Sequence, residues 1–162
     1  MIESSRCKMH ILKKSDHDKI KELFINEKVR KFLGGIVNTE NFDRSFHNMI
    51  TCSNDSFYWI VRLKHTNEVI GLVSLDKHHD GFNTELSYQF MPKYWGYGYA
   101  EEVIRKIIDY AFYELDLNKI VAETQSANTA SCNLLKRVGM HLEQILSRFG
   151  AEQYIFGINK PI

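Results

Sequence analysis

Two glycines, Gly96 and Gly98, stand where a strand pattern gives way to a helix pattern, and this junction constrains the chain more than any other segment. Upstream, Glu85 to Phe90 alternates polar and apolar residues, as a half-buried strand does. Downstream, Val103, Ile104, Ile107, Ile108, Ala111, Phe112 and Leu115 recur at helical spacing and make one apolar face. The first turn of a helix carries backbone N–H groups with no intrahelical partner, and its dipole is positive there. Glycine has no Cβ, so a ligand can come close to the backbone. The segment Tyr94-Trp-Gly-Tyr-Gly-Tyr-Ala100 therefore reads either as a seat for a phosphate group or as a tight turn that binds nothing. It is not the dinucleotide fingerprint, because Ala100 follows Gly98 too closely, and it is not a P-loop, because no Gly-Lys-Ser/Thr follows.

The remaining pattern reads as one domain over residues 1–162, without linker, repeat or low-complexity segment. A strand near Met9–Lys13 leads to Ser15-Asp16, a cap for a helix carrying Ile20, Leu23 and Phe24. Gly34-Gly35 break the chain, and Thr39 caps a second helix with the face Phe42, Phe46, Met49 and Ile50. Strands are expected at 57–63, 69–75 and 85–90, then a helix over 98–115 and a strand near 119–124. A helix from Asn128 to Val138, ended by Gly139, precedes two last strands near 141–146 and 153–159. Strands on both sides of the long helix imply a crossover, and with it local parallel pairing inside a mainly antiparallel sheet.

With 21 basic and 20 acidic residues, the chain has no basic surplus for nucleic acid and no polybasic block for a membrane surface. The opening residues Met1-Ile-Glu-Ser-Ser-Arg-Cys-Lys lack the apolar run of a secretory leader, and no stretch reads as a membrane span. Cys7, Cys52 and Cys132 are an odd number with no close pairing, which fits a reducing cytoplasm rather than a disulfide frame. His78-His79-Asp80 is not a usual zinc spacing and reads as a hydrophilic hairpin loop, so no metal is expected.

Two motifs at this separation carry a resemblance. The chain resembles the GNAT superfamily of N-acetyltransferases, in the branch of the ribosomal-protein N-terminal and spermidine acetyltransferases. The family's Gln/Arg-x-x-Gly-x-Gly/Ala loop is matched by Trp95-Gly-Tyr-Gly-Tyr-Ala100, with Trp95 in the first place. The family's Asn-x-x-Ser followed by a helix ending in Gly-Phe is matched by Asn128-Thr-Ala-Ser131 and, after the helix, Gly139-Met140. The resemblance implies an α/β (α+β) GNAT fold, a mixed and mostly antiparallel central sheet flanked by helices. It also implies acetyl-CoA as cosubstrate, without a metal, and a primary amine as acceptor, either a protein N-terminus or a small molecule. The amides of Gly96, Tyr97, Gly98, Tyr99 and Ala100 would hold the pyrophosphate, and the backbone of Phe90 and Met91 the pantetheine arm. The reaction implied is direct attack of the amine on the thioester.

The family's general-acid tyrosine falls on Leu135 here, which leaves Ser131 as the hydroxyl beside the CoA sulfur. Ser131 is equally readable as an ordinary first-turn residue, and Asn128 as a plain helix cap. A base is needed because an alkyl amine has a pKa of roughly 10 and an α-amine one near 8. Glu85, on the strand the family uses to line the acceptor site, is the first candidate; its bland reading is a solvent-facing strand residue. Carrying a loop glutamate of the branch to Glu152 is doubtful, because the segment Ser147–Glu152 is short. Tyr88 is core or acceptor lining. Phe149, Tyr154, Ile155 and Phe156 put large apolar groups on the late strands, which either meet a second copy in a homodimer or pack inside. Because the tyrosine is missing, the alternative function is a non-catalytic acyl-CoA-binding or regulatory module.

Overall fold

An eight-stranded sheet forms the frame of the computed structural model, which covers residues 1–162. Its strands are β1 (Ile2–Glu3), β2 (Cys7–Ile11), β3 (Phe57–Leu63), β4 (Val69–Lys77), β5 (Thr84–Phe90), β6 (Lys119–Gln125), β7 (His141–Arg148) and β8 (Ala151–Asn159). They lie in the order β1-β2-β3-β4-β5-β6-β8-β7, and every pair is antiparallel except β5 with β6. The crossover expected from the sequence is the connection between those two strands. It contains the helix α4 (Tyr99–Tyr113).

Strand alternation divides the core in two. Trp59, Val61, Val73 and Leu75 face α4 and the helix α5 (Thr129–Arg137). Ile60 and Leu72, one residue out of phase with them, face the helices α1 (His17–Phe24) and α3 (Thr39–Ile50). The helical faces answer this pattern: Ile104, Ile107 and Ala111 of α4 are fully buried on one side, and Ile20, Leu23 and Phe42 on the other. Burying each of the larger side chains stabilises the fold by roughly 1.5–3 kcal/mol. No helix is long and apolar enough to cross a membrane.

Local chemistry moves several boundaries. Asp16 does not cap α1; its carboxylate turns back to accept from the N–H of Lys13 at 2.8 Å, closing a short 3-10 turn over Lys14–Asp16. The cap of α3 is Asn38, not Thr39, with its amide oxygen 2.8 Å from the N–H of Asn41. Asn26 likewise caps a one-turn helix, α2 (Glu27–Arg30), through the N–H groups of Lys28 and Val29 at 3.0 and 3.1 Å. At the chain end, Phe149 and Gly150 alone join β7 to β8, both with positive φ, so both strands run longer than expected and Glu152 lies in β8. Of the apolar groups expected there, Ile155 and Phe156 are buried and Tyr154 packs on the core, while Phe149 is exposed. In their place β7 shows Leu142 and Ile145 to solvent.

Candidate active site

The parallel contact between β5 and β6 is short. Only Thr84 with Ile120 and Glu85 with Val121 are paired, and beyond them the two strands part. The gap is a cleft of about 680 Å³. Backbone alternation decides which groups face it. The N–H of Met91 donates to the carbonyl of Ile70 on β4 at 2.8 Å, so the amides of Met91 and Gln89 point into the sheet. Those of Tyr88 and Phe90 point toward the cleft. The strand end open to a ligand therefore belongs to Phe90 and Tyr88. Met91, expected to share that role, has its N–H on Ile70 and its carbonyl accepting from Tyr94 at 2.9 Å.

The glycine loop closes one end of the cleft. A 3-10 turn over Pro92–Tyr94 leads into it, and the indole N–H of Trp95 donates to the Phe90 carbonyl at 2.8 Å. Gly96 and Gly98 have φ of +82° and +81°, a region that favours glycine. Gly98 is the N-cap of α4 and has no side chain with which to cap it. The first backbone bond of that helix runs from Glu102 to the Gly98 carbonyl, so the amides of Tyr99, Ala100 and Glu101 find no acceptor within α4. Trp95, Gly96, Gly98, Tyr99 and Ala100 all line the cleft, whereas the Tyr97 side chain stands in solvent outside it.

Arg6 holds this loop in place. Its Nε lies 2.8 Å from Glu102 Oε2, its Nη2 lies 3.0 Å from the Tyr97 carbonyl, and its guanidinium stacks 4.2 Å from the centre of the Tyr99 ring. Glu102 Oε1 also accepts from the Ser4 hydroxyl and the Arg6 N–H, both at 2.6 Å. These donors outweigh burial and hold the Glu102 carboxyl below its usual range. Sequence reasoning missed Arg6, since nothing local ties it to a loop so far along the chain.

The other wall comes from α5. Asn128 caps this helix, its Oδ1 3.2 Å from the Ser131 N–H. Ser131 Oγ in turn lies 2.6 Å from the hydroxyl of Tyr88. Burial pushes the Tyr88 phenol up to about 12, so it stays protonated and can donate to Ser131. Tyr88 is thus neither simple core nor simple acceptor lining: it brings a second hydroxyl from β5 to the spot where Leu135, fully buried, offers none.

On the opposite face of β5 lies a second cavity of about 430 Å³. Leu72, Ser74 and Asp76 pair with Gln89, Ser87 and Glu85, so all six share the α1–α3 face. Ser87, Tyr88 and Gln89 line both cavities, and the second is walled by Phe24 and Met49 with Asp76 as its one charged group. The Asp76 carboxylate accepts from Ser56 Oγ at 2.6 Å and from the Tyr58 hydroxyl; against the cost of burial, these bonds keep it below its usual range.

Glu85 lines neither cavity. It sits in a row of carboxylates across the sheet, between Asp76 of the second cavity and Glu123 of the cleft. Beside it stands His78, which the sequence places in a hydrophilic loop but which is only 2% exposed. Its burial is tolerable because both ring nitrogens find carboxylates: Nε2 is 2.8 Å from Glu123 Oε1 and Nδ1 is 3.1 Å from Asp80 Oδ2. Ligand-type atoms of His78, Glu85 and Glu123 come within 4.8 Å of one another, but the counter-charge on Glu123 is already a guanidinium, Arg148, at 2.8 Å. Cys132 is buried, and burial pushes its thiol up, away from reactivity.

A family model described as an acetyltransferase (GNAT) domain matches residues 6–141. The chain belongs to the GNAT acetyltransferase family. An uncharacterized N-acetyltransferase of Bacillus subtilis, YoaA, is 27% identical over 158 residues, 92% of this chain and 87% of that protein. Among solved structures, the spermidine N-acetyltransferase of Vibrio cholerae in complex with CoA and spermine superposes with a TM-score of 0.84 at 21% identity, over 96% of each chain. The ribosomal-protein-S5-alanine acetyltransferase of Vibrio fischeri gives a TM-score of 0.81 at 18% identity, over 98% of this chain and 95% of that one. At these identities the structural likeness speaks for the GNAT fold. The split between β5 and β6, with a glycine loop at the head of α4, is the part of that fold described above.

Proposed function

We propose that this GNAT protein transfers the acetyl group of acetyl-CoA to a primary amine by direct attack. The observation that carries the reading is the Tyr88–Ser131 hydroxyl pair, set where the parted strands meet the capped start of α5. When bound, acetyl-CoA supplies the thioester carbonyl that the amine attacks. The unpartnered amides at the head of α4, with the positive end of its dipole, suit the pyrophosphate. The backbone of Phe90 and Tyr88 suits the two amides of the pantetheine arm, in the manner of an added strand. N–H groups of that same edge are placed to stabilise the oxygen on which charge develops. Ser131, held by a hydrogen bond from Tyr88, donates a hydrogen bond to the departing sulfur, which leaves as a thiolate and takes its proton from solvent. Glu85 takes the ammonium proton through a water, since it lines neither cavity.

The acceptor enters from the second cavity, whose residues Ser87 to Gln89 also border the cleft. Asp76 there favours a cationic amine with an apolar body against Phe24 and Met49. A homodimer across the exposed edge strand β7 belongs to the same reading. The test is release of free CoA with a panel of peptides of varied N-termini, polyamines and aminoglycosides. Turnover with one class supports the reading and names the acceptor. Tight acetyl-CoA binding without turnover on any amine overturns it in favour of an acyl-CoA-binding module, the reading that Leu135 favours.

A further inference from the structure

Glu85 stands in the interior row of carboxylates without an ion-pair partner, and charged groups from several elements converge on it. The hairpin between β4 and β5 sends in His78, with the His79 ring edge-on to it at 5.8 Å and Asp80 beyond. β6 contributes Glu123, and β7 contributes Arg148. From the neighbouring strand, Asp76 lies directly across from Glu85. Two cations and two carboxylates, His78 with Arg148 and Glu123 with Asp80, already neutralise one another through contacts of 2.8 to 3.1 Å. Asp76 is held by hydroxyls, and Glu85 is left without a cation, within 4.8 Å of both His78 and Glu123. It has no salt-bridge partner of its own.

We propose that His78 and Glu123 are positioning residues that set the proton affinity of Glu85, pulling it in opposite directions from behind the reacting centre. His78 faces Asp80 and Glu123 through its two nitrogens, an arrangement that favours imidazolium; the Asp80 N–H also approaches Nδ1, at a longer 3.3 Å. The two carboxylates overcome the burial that would otherwise discharge the ring. A buried positive charge this close lowers a carboxylic acid's affinity for its proton, and a buried negative charge raises it. The carboxyl of Glu85 accordingly stands at about 7: burial raises it most, His78 pulls it down, the Glu123 carboxylate pushes it back up, and the Glu123 N–H and Arg148 lower it further. A group poised there is largely in its basic form just above neutral pH and readily returns to solvent the proton it takes.

The inference rests on the reading of Glu85 as the proton acceptor, but its test does not need turnover. The Glu85 carboxyl, labelled with carbon-13 and assigned by its loss in Glu85→Gln, is titrated by NMR in the free protein. Glu123→Gln, which is isosteric and leaves Asp80 on the imidazolium, is expected to move the midpoint down by about one pH unit or more while the His78 ring, followed by its own carbon-13 shift, stays charged, and His78→Asn is expected to move it up by a similar amount. Glu123→Asp, which keeps the charge, is expected to stay near the wild type. Should His78→Asn fail to fold, Arg148→Met removes the other positive charge and must also move the midpoint up. Midpoints that do not move, or that move the same way in both variants, overturn the proposal. In turnover, the ascending limb of kcat/KM is expected to follow the same two directions. If the free-protein midpoints shift while no amine is acetylated, the charge network stands and the acetyltransferase reading falls.

Discussion

Gly98 offers the sharpest test of the cofactor seat, because strain and binding can be separated there. Gly98 and Gly150 share the left-handed region, with φ of +81° and +73°. Alanine at either position costs the fold about 1–2 kcal/mol. At this chain length that is a fall in Tm of roughly 2–8 °C. The two sites then diverge. A Cβ on Gly150, in the turn between β7 and β8, meets no protein atom within 4 Å and no ligand. A Cβ on Gly98 meets only Arg6 Nη2 at 3.4 Å, so the protein itself tolerates it, but Gly98 lines the cleft at the head of α4, where the proposed function seats the pyrophosphate. Gly98→Ala is therefore expected to lose acetyl-CoA affinity at least about tenfold, roughly 1.4 kcal/mol, beyond any change in Gly150→Ala. Isothermal calorimetry on both variants, with thermal denaturation alongside, measures the two terms. Wild-type affinity in a folded Gly98→Ala protein, or equal loss in Gly150→Ala, refutes the assignment of the loop.

Ser131→Ala is expected to lower kcat by about 10²-fold and to leave KM for acetyl-CoA nearly unchanged. Tyr88→Phe should do less, and the double variant no more than Ser131→Ala, because the two hydroxyls act in series; a rise in KM alone would reduce both to cofactor contacts. Glu85→Gln should remove the rise in kcat/KM around pH 7, where the wild-type carboxyl loses its proton and becomes a base. The rise then moves to the pKa of the amine itself, about 8 for an α-amine and about 10 for an alkyl amine, and an unchanged profile would assign deprotonation elsewhere. Light scattering at micromolar concentration should give a mass near twice 19.0 kDa, and a mass of 19.0 kDa would refute the dimer.

The elements with strong periodicity were legible in the residues. The face of α4 from Val103 to Phe112, the meander β3-β4-β5 and the crossover follow from apolar spacing alone. The glycine loop was legible too, because positive φ at Gly96 and Gly98 favours glycine. What escaped depends on contacts between distant segments. Asn26 and Asn38 compete with neighbouring residues as caps, and only the path of the backbone decides. The bond between Tyr88 and Ser131 joins a strand to a helix through the parting of β5 and β6. His78 reads as polar loop because its partner Glu123, and the Arg148 that pairs with Glu123 in turn, arrive from β6 and β7. Arg6 at the start of the chain braces a helix that begins at Tyr99.

The narrow seam between β5 and β6 also has a dynamic consequence. Two residue pairs are all that join the block β1–β5 to the block β6–β8 through the sheet. The apolar floor formed by α4 beneath Leu86, Ile120 and Phe156, with the His78–Glu123 and Tyr88–Ser131 contacts, carries the rest of the connection. In the free protein the two blocks are expected to open as separate cooperative units, with amide exchange protection ending abruptly at the seam. A ligand lying along the edge of β5, with its charge on the head of α4, touches both the unpaired backbone and the helix that spans the blocks. Its binding should show as slowed exchange in β6 and β8, strands whose amides it never contacts, and as a single unfolding unit where there had been two.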